Sequence, residues 1–262
     1  MINMQKRARK GQITIFIIIA IVIVGILIFM YLPQLKKLII TTPDELIPKD
    51  CIEKTITPPL EKLMVQGGAM KPKLYYLYNN KTVDYLCYTG EWYKTCYMQK
   101  PFLKQSMEAE LSANTSVAIQ KCINTMVTQL QNKGYSVQIK GDKTPLVKII
   151  PDNIEVSFNM TLTLQKGDEK RTFIPSMFDT KVSSNSYEMI MIASSIQNFE
   201  ARFGDSVPET YMSVYPNIKV QKLKQADGTK IYIITDRKTE ERLVFATRSL
   251  AWPPGMAVNP QF

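Results

Sequence analysis

Residues 13–32, ITIFIIIAIVIVGILIFMYL, form an unbroken apolar run with no charge and no proline. A helix of that length spans about 30 Å, the thickness of a bilayer's hydrocarbon core. In lipid each backbone N–H must be satisfied within its own segment, so the β-branched Ile and Val do not argue against a helix. The run predicts a transmembrane helix over residues 12–32. Lys6, Arg7, Arg9 and Lys10 precede it, whereas only Lys36 and Lys37 follow closely. The positive-inside bias then predicts that residues 1–11 form a cytoplasmic leader and that the chain beyond the helix lies outside. A cleaved secretory signal is the competing reading, but its apolar stretch is usually about 7 to 15 residues and ends at a small-residue site. Here Met30, Tyr31, Leu32, Pro33 and Gln34 close the run with no A-x-A pattern, which favours retention in the membrane.

The four cysteines, Cys51, Cys87, Cys96 and Cys122, all fall on the outer side, and none forms a C-x-x-C pair. The chain has no histidine. Mixed Cys/His zinc frameworks are thereby excluded, and an all-cysteine site would use closely spaced pairs. An even cysteine count in an extracytoplasmic domain predicts disulfides instead. The segment TVDYLCYTGEWYKTCYM reads as a hairpin of Tyr-rich strands, with Thr89-Gly90 opening the turn. A turn centred between Glu91 and Trp92 places Cys87 opposite Cys96, close enough for a cross-strand bridge. By elimination Cys51 pairs with Cys122, closing a long loop whose cross-linking contributes on the order of 3 to 4 kcal/mol.

Periodicity predicts an α+β ectodomain of helices packed on antiparallel sheets. Residues 33–50 form a connector in which Pro33, Pro43 and Pro48 argue against one continuous helix. Asp50 is the expected N-cap of a helix through Cys51, Ile56 and Met64 that is kinked at Pro58-Pro59 and stopped by Gly67-Gly68. Two or three strands follow over residues 74–97. A helix is expected over 106–133, with Val117, Ile119, Cys122, Ile123, Met126, Val127 and Leu130 on one face. Strands are expected at 136–140, 146–150, 154–165 and 170–181, the last two joined by a turn at Lys166-Gly167-Asp168-Glu169. A helix over 185–203, with Met189, Ile192, Ile196, Phe199 and Phe203 facing inward, precedes a meander at 218–224, 229–235 and 241–248. The ectodomain thus spans 51–250, divisible into 51–183 and 184–250, and residues 251–262 form an extended, proline-rich tail.

Without histidine there is no Ser-His or Cys-His nucleophile pair, and no G-x-S-x-G elbow, phosphate loop or dinucleotide fingerprint occurs. The carboxylate pairs Glu108/Glu110, Glu240/Glu241 and Asp168/Glu169 read as solvated surface, so no catalytic residue, cofactor site or metal site is expected. The triplet Lys140-Gly141-Asp142 resembles an integrin-type adhesion motif, but three residues are no evidence for one and a strand-ending turn explains them. The net charge of +10, less the four leader cations, leaves +6 for the rest. That moderate charge suits anionic glycans, acidic surface-layer proteins or lipid headgroups, and no Lys/Arg cluster is dense enough for nucleic acid. The rings of Tyr75, Tyr76, Tyr78, Tyr85, Tyr88, Trp92, Tyr93 and Tyr97 serve either as faces of a small sheet or as a contact surface. Asn80, Asn114 and Asn159 each begin an N-x-S/T pattern and are candidate glycosylation acceptors.

Lys10, Gly11, Gln12 and the apolar run behind them resemble the class III signal of archaeal type IV pilin-like proteins. The resemblance implies cleavage by a prepilin peptidase after Gly11, leaving Gln12 as the mature N-terminus. Phe16 stands where many such pilins carry glutamate. The whole chain resembles single-pass surface proteins of small symbiotic archaea of the DPANN type, a likeness that implies no activity. The expected function is that of a non-catalytic, membrane-anchored surface protein: a pilin-like filament subunit assembling through its N-terminal helix, or an adhesion component touching surface layer, glycan or host. A permanently anchored scaffold or receptor is the alternative, and a membrane-bound enzyme ranks third.

Overall fold

The computed structural model describes residues 17–28 and 48–251. The chain divides into two compact units, Met1–Leu46 and Ile47–Phe262. In the first, residues 17–28 are helical and their side chains are exposed throughout. Among the described residues no helix is long and apolar enough to cross a membrane. The connector up to residue 47 and the tail from residue 252 lie outside the described residues.

The second unit opens with α1 (Lys49–Val65), whose Ile52, Ile56, Leu60, Leu63 and Met64 recur at helical spacing and are buried. Pro48, rather than Asp50, occupies the N-cap, and Asp50 sits in the first turn, where a carboxylate complements the positive end of the helix dipole. Pro58 and Pro59 lie inside the helix. Gly67 and Gly68 end it with φ of 73° and 79°, where a side chain on Gly67 would press on the backbone of Asp84. Strands β1 (Tyr75–Tyr78), β2 (Lys81–Tyr88) and β3 (Tyr97–Met98) follow.

Helix α2 (Leu103–Asn132) begins earlier than its apolar period indicates, and its buried stripe runs from Leu103 and Met107 through Ile119 and Cys122 to Leu130. Val117, expected on that stripe, points to solvent. Strands β4 (Ser136–Ile150), β5 (Asn153–Lys166), β6 (Glu169–Phe173) and β7 (Thr180–Ser183) build the next sheet. The two strands expected at 136–140 and 146–150 are one strand, interrupted by a register shift between Gly141 and Pro145. Gly141 takes φ 98°, and a Cβ there would lie 2.4 Å from the Asn159 carbonyl oxygen. The single strand expected at 170–181 is instead two, because Ile174-Pro175 turns the chain through a short 3₁₀ helix (Pro175–Met177), and both halves pair with β5.

Helix α3 (Ser186–Phe203) buries Met189, Ile190, Ile192, Ala193 and Ile196 and ends at left-handed Gly204. Phe199 and Phe203, expected inside, are exposed and lie 5.6 Å apart ring to ring. A short helix α4 (Pro208–Val214) and the meander β8 (Ile218–Lys224), β9 (Thr229–Asp236) and β10 (Arg242–Arg248) complete the body.

The larger sheet has the order β1-β2-β10-β9-β8, with β3 also on β2; the smaller is β4-β5-β6, with β7 also on β5. Pairing is antiparallel apart from β2 with β10, which run parallel, so the expectation of wholly antiparallel sheets fails there. That pair also makes residues 51–183 and 184–250 share one sheet. α3 packs against β2, β9 and β10, and the opposite face carries a small second core of Val83, Tyr85, Ile231, Val244 and Ala246. Tyr76 on edge strand β1 donates to Gln225 beyond edge strand β8 at 3.3 Å. Four strand spacings in a flat sheet would put these edges about 19 Å apart, so the sheet curls around the second core.

Candidate contact surface

The Tyr-rich segment divides into structure and surface. Tyr85 is buried and shares a 2.7 Å hydrogen bond with Thr229, while Tyr76, Tyr78 and Tyr88 lie half-buried over the second core. Trp92, Tyr93 and Tyr97 are 56%, 78% and 62% exposed, and Tyr75 is exposed as well. Trp92, Tyr93 and Tyr97 lie within or directly beside the loop closed by the Cys87–Cys96 disulfide, whose Cα atoms are 5.3 Å apart. The register differs from the expected tight turn: Cys87 faces Met98 and Tyr88 faces Tyr97, so residues 89–96 form a longer loop.

That loop is fastened along its length. Thr89 N–H donates to Arg248 O at 2.9 Å, Tyr93 N–H to Leu250 O at 2.9 Å, and Leu250 N–H to Lys94 O at 3.0 Å. Cys96 N–H donates to Ser249 Oγ, and Arg248 reaches back to Thr89 O. Tyr93 takes φ 58°, a left-handed conformation that a bulky side chain adopts only when its surroundings enforce it. The loop's two charges, Glu91 and Lys94, pair with each other. Lys100, just beyond, is held by Asp84 at 2.6 Å. Burial raises the Asp84 pKa against the pull of Lys100. The second disulfide joins Cys51 of α1 to Cys122 of α2 across 71 residues.

The strongest electrostatic cluster is internal. Glu200 is fully buried; its carboxylate accepts from Lys230 Nζ at 2.7 Å and from Tyr232 Oη at 2.5 Å. Lys230 also donates to Gly204 O at 2.5 Å and Asp205 Oδ1 at 3.2 Å, and Lys222 donates to Asp205 at 2.8 Å. Burial raises Glu200, with Lys230 and Tyr232 partly opposing it. Burial and the adjacent Glu200 carboxylate push Tyr232 well up. For Asp205 burial acts upward, but the two lysines prevail and hold it below its usual range. With Glu200 fully buried and these bonds made from within, the cluster locks the C-terminal end of α3 onto β9.

Of the expected surface carboxylates, Asp168, Glu169 and Glu240 are exposed, whereas Glu108 and Glu241 take structural partners. Glu108 accepts from Lys104 at 2.6 Å and from the Ile149 N–H at 2.8 Å, while Glu241 accepts from the Asn185 N–H and Ser184. Glu240 lies 3.8 Å from Arg242. Among the described residues no cluster of three or more cysteines and carboxylates is arranged to hold a metal ion. Asp142 of the Lys-Gly-Asp triplet lies in the irregular part of β4, rather than at a strand-ending turn, and lines an open groove with Phe158, Asn159 and Asp179. Asn80 (φ 59°) is in the β1–β2 turn, Asn114 is on α2 and Asn159 is on β5, all exposed. Gly11 and Gln12 lie outside the described residues.

Sequence reasoning missed the strained Tyr93 and the Glu200–Lys230 pair. A signal for the pair was present, since Glu200 falls four residues after Ile196 on the apolar stripe of α3. No protein-family model, curated protein or solved structure matches this chain.

Proposed function

We propose that the chain is an extracytoplasmic surface protein anchored by its N-terminal apolar run, acting as a pilin-like filament subunit or adhesion component. The supporting observation is that residues 17–28 are helical, apolar on every side, and have large side chains 48–66% exposed. A helix apolar all round needs lipid or like helices to cover it. Two disulfides fit an oxidising compartment outside the cytoplasm. Membrane and further copies of the chain are the proposed partners of the helix. Surface-layer protein, glycan or host surface is the proposed partner of the ectodomain, with no role for nucleic acid, cofactor or catalysis.

N-terminal sequencing of protein from native cells tests the filament reading. Gln12 as first residue, with the protein in sheared surface fractions, is expected. Gly11→Val should then abolish filaments while leaving the protein in the membrane. An intact Met1–Gly11 leader, with none of the chain in sheared fractions, assigns the permanent scaffold or receptor instead.

A further inference from the structure

The rings of Trp92, Tyr93 and Tyr97 by themselves fall short of a stable protein interface, and their loop is too neutral for a polyanion. At about 200 Å² per ring, the exposed fractions of Trp92, Tyr93 and Tyr97 present roughly 400 Å². A stable protein–protein interface takes about 800 Å² from each side. Between Thr89 and Met98 the only charges, Glu91 and Lys94, neutralise each other. The surface is also preorganised: the Cys87–Cys96 bridge and the backbone bonds to Leu250 hold it, and Tyr93 is kept in a strained conformation facing solvent.

We propose that Trp92, Tyr93 and Tyr97 form a binding platform for a neutral oligosaccharide. The C–H face of a pyranose carries partial positive charge and stacks on the negative face of an aromatic ring. Its hydroxyls then meet the phenol groups of Tyr93 and Tyr97 and the rim formed by Glu91 and Lys94. This proposal rests on the surface-protein reading for its biological setting, yet it is tested separately, because carbohydrate binding can be measured whatever the state of the leader.

The test uses the full chain in lipid nanodiscs on an array of neutral hexose and N-acetylhexosamine oligosaccharides, with sulfated and sialylated glycans alongside, at low and high salt. Binding to a neutral glycan that persists at high salt is expected. Trp92→Ala and Tyr97→Ala should each weaken it about fivefold or more, while Tyr75→Ala, an exposed ring outside the loop, leaves it unchanged. Non-reducing peptide mapping verifies that each variant keeps both disulfides. Failure to bind any neutral glycan overturns the proposal, as does binding indifferent to Trp92→Ala and Tyr97→Ala, or binding confined to acidic glycans and lost at high salt. In the last case the net positive charge, not the aromatic loop, is the recognition element.

Discussion

Lys230→Met removes the ammonium that faces Glu200, Asp205 and the Gly204 carbonyl while preserving much of the side chain's apolar volume. Glu200 is then a carboxylate with no exposure and only the Tyr232 hydroxyl as a remaining side-chain donor. Leaving one member of a buried pair uncompensated costs about 3 to 5 kcal/mol, a large part of a domain's usual 5 to 15 kcal/mol of stability. The loss has a pH signature. Glu200 is already raised by burial, and removing Lys230 takes away the main influence opposing that rise. A carboxyl whose folded pKa lies above its unfolded value favours folding below the unfolded pKa, and that contribution is lost as pH rises through the folded pKa. The variant's deficit should therefore be small below about pH 4, where Glu200 is protonated, and grow toward neutrality. Urea unfolding of wild type, Lys230→Met and the double variant Lys230→Met/Glu200→Leu at acid and neutral pH measures it. The double variant should recover most of the loss. A deficit under about 1 kcal/mol at neutral pH, or one that does not change with pH, refutes the buried-pair account.

Cys51→Ser/Cys122→Ser opens a 71-residue loop and should cost about 4 kcal/mol, against about 3 kcal/mol for Cys87→Ser/Cys96→Ser across 9 residues, both read by denaturant unfolding. Gly141→Ala drives a Cβ into the Asn159 carbonyl and should cost about 1 to 3 kcal/mol; an unchanged melting profile would argue against the irregular register in β4. Glu108→Ala leaves the Ile149 N–H on the outer edge of β4 without its partner, so faster aggregation by light scattering is expected. Wild-type aggregation kinetics in that variant would show that the edge needs no such cover.

The elements easiest to read were those whose packing surface coincides with a simple period. The meander at Ile218–Lys224, Thr229–Asp236 and Arg242–Arg248 was legible because turn residues separate short β-rich runs. The helix ending at Phe203 was legible because Gly204 follows an apolar stripe. Periodicity shows that a face is apolar but not how far its cover extends. That is why Phe199, Phe203 and Val117 read as inward-facing although all three are exposed. Local turn signals likewise cannot reveal that Gly141–Pro145 interrupts a single strand, since continuity there depends on β5 bridging both sides. The parallel pairing of β2 with β10 joins residues more than 150 apart and leaves no local trace. At the candidate surface, the aromatic composition was legible. Which rings are structural was not, because that depends on a curled sheet whose edges meet through Tyr76 and Gln225.

The most direct test of the central claim is protease added to intact cells that make the full chain, followed by peptide mapping of what survives. Anchoring with the N-terminus inside predicts that everything beyond about Lys37 is accessible from outside and that the recovered ectodomain peptides carry the Cys51–Cys122 and Cys87–Cys96 links. Protection of residues 48–251 in intact cells, with free thiols at the four cysteines, would place the folded body inside and contradict the account.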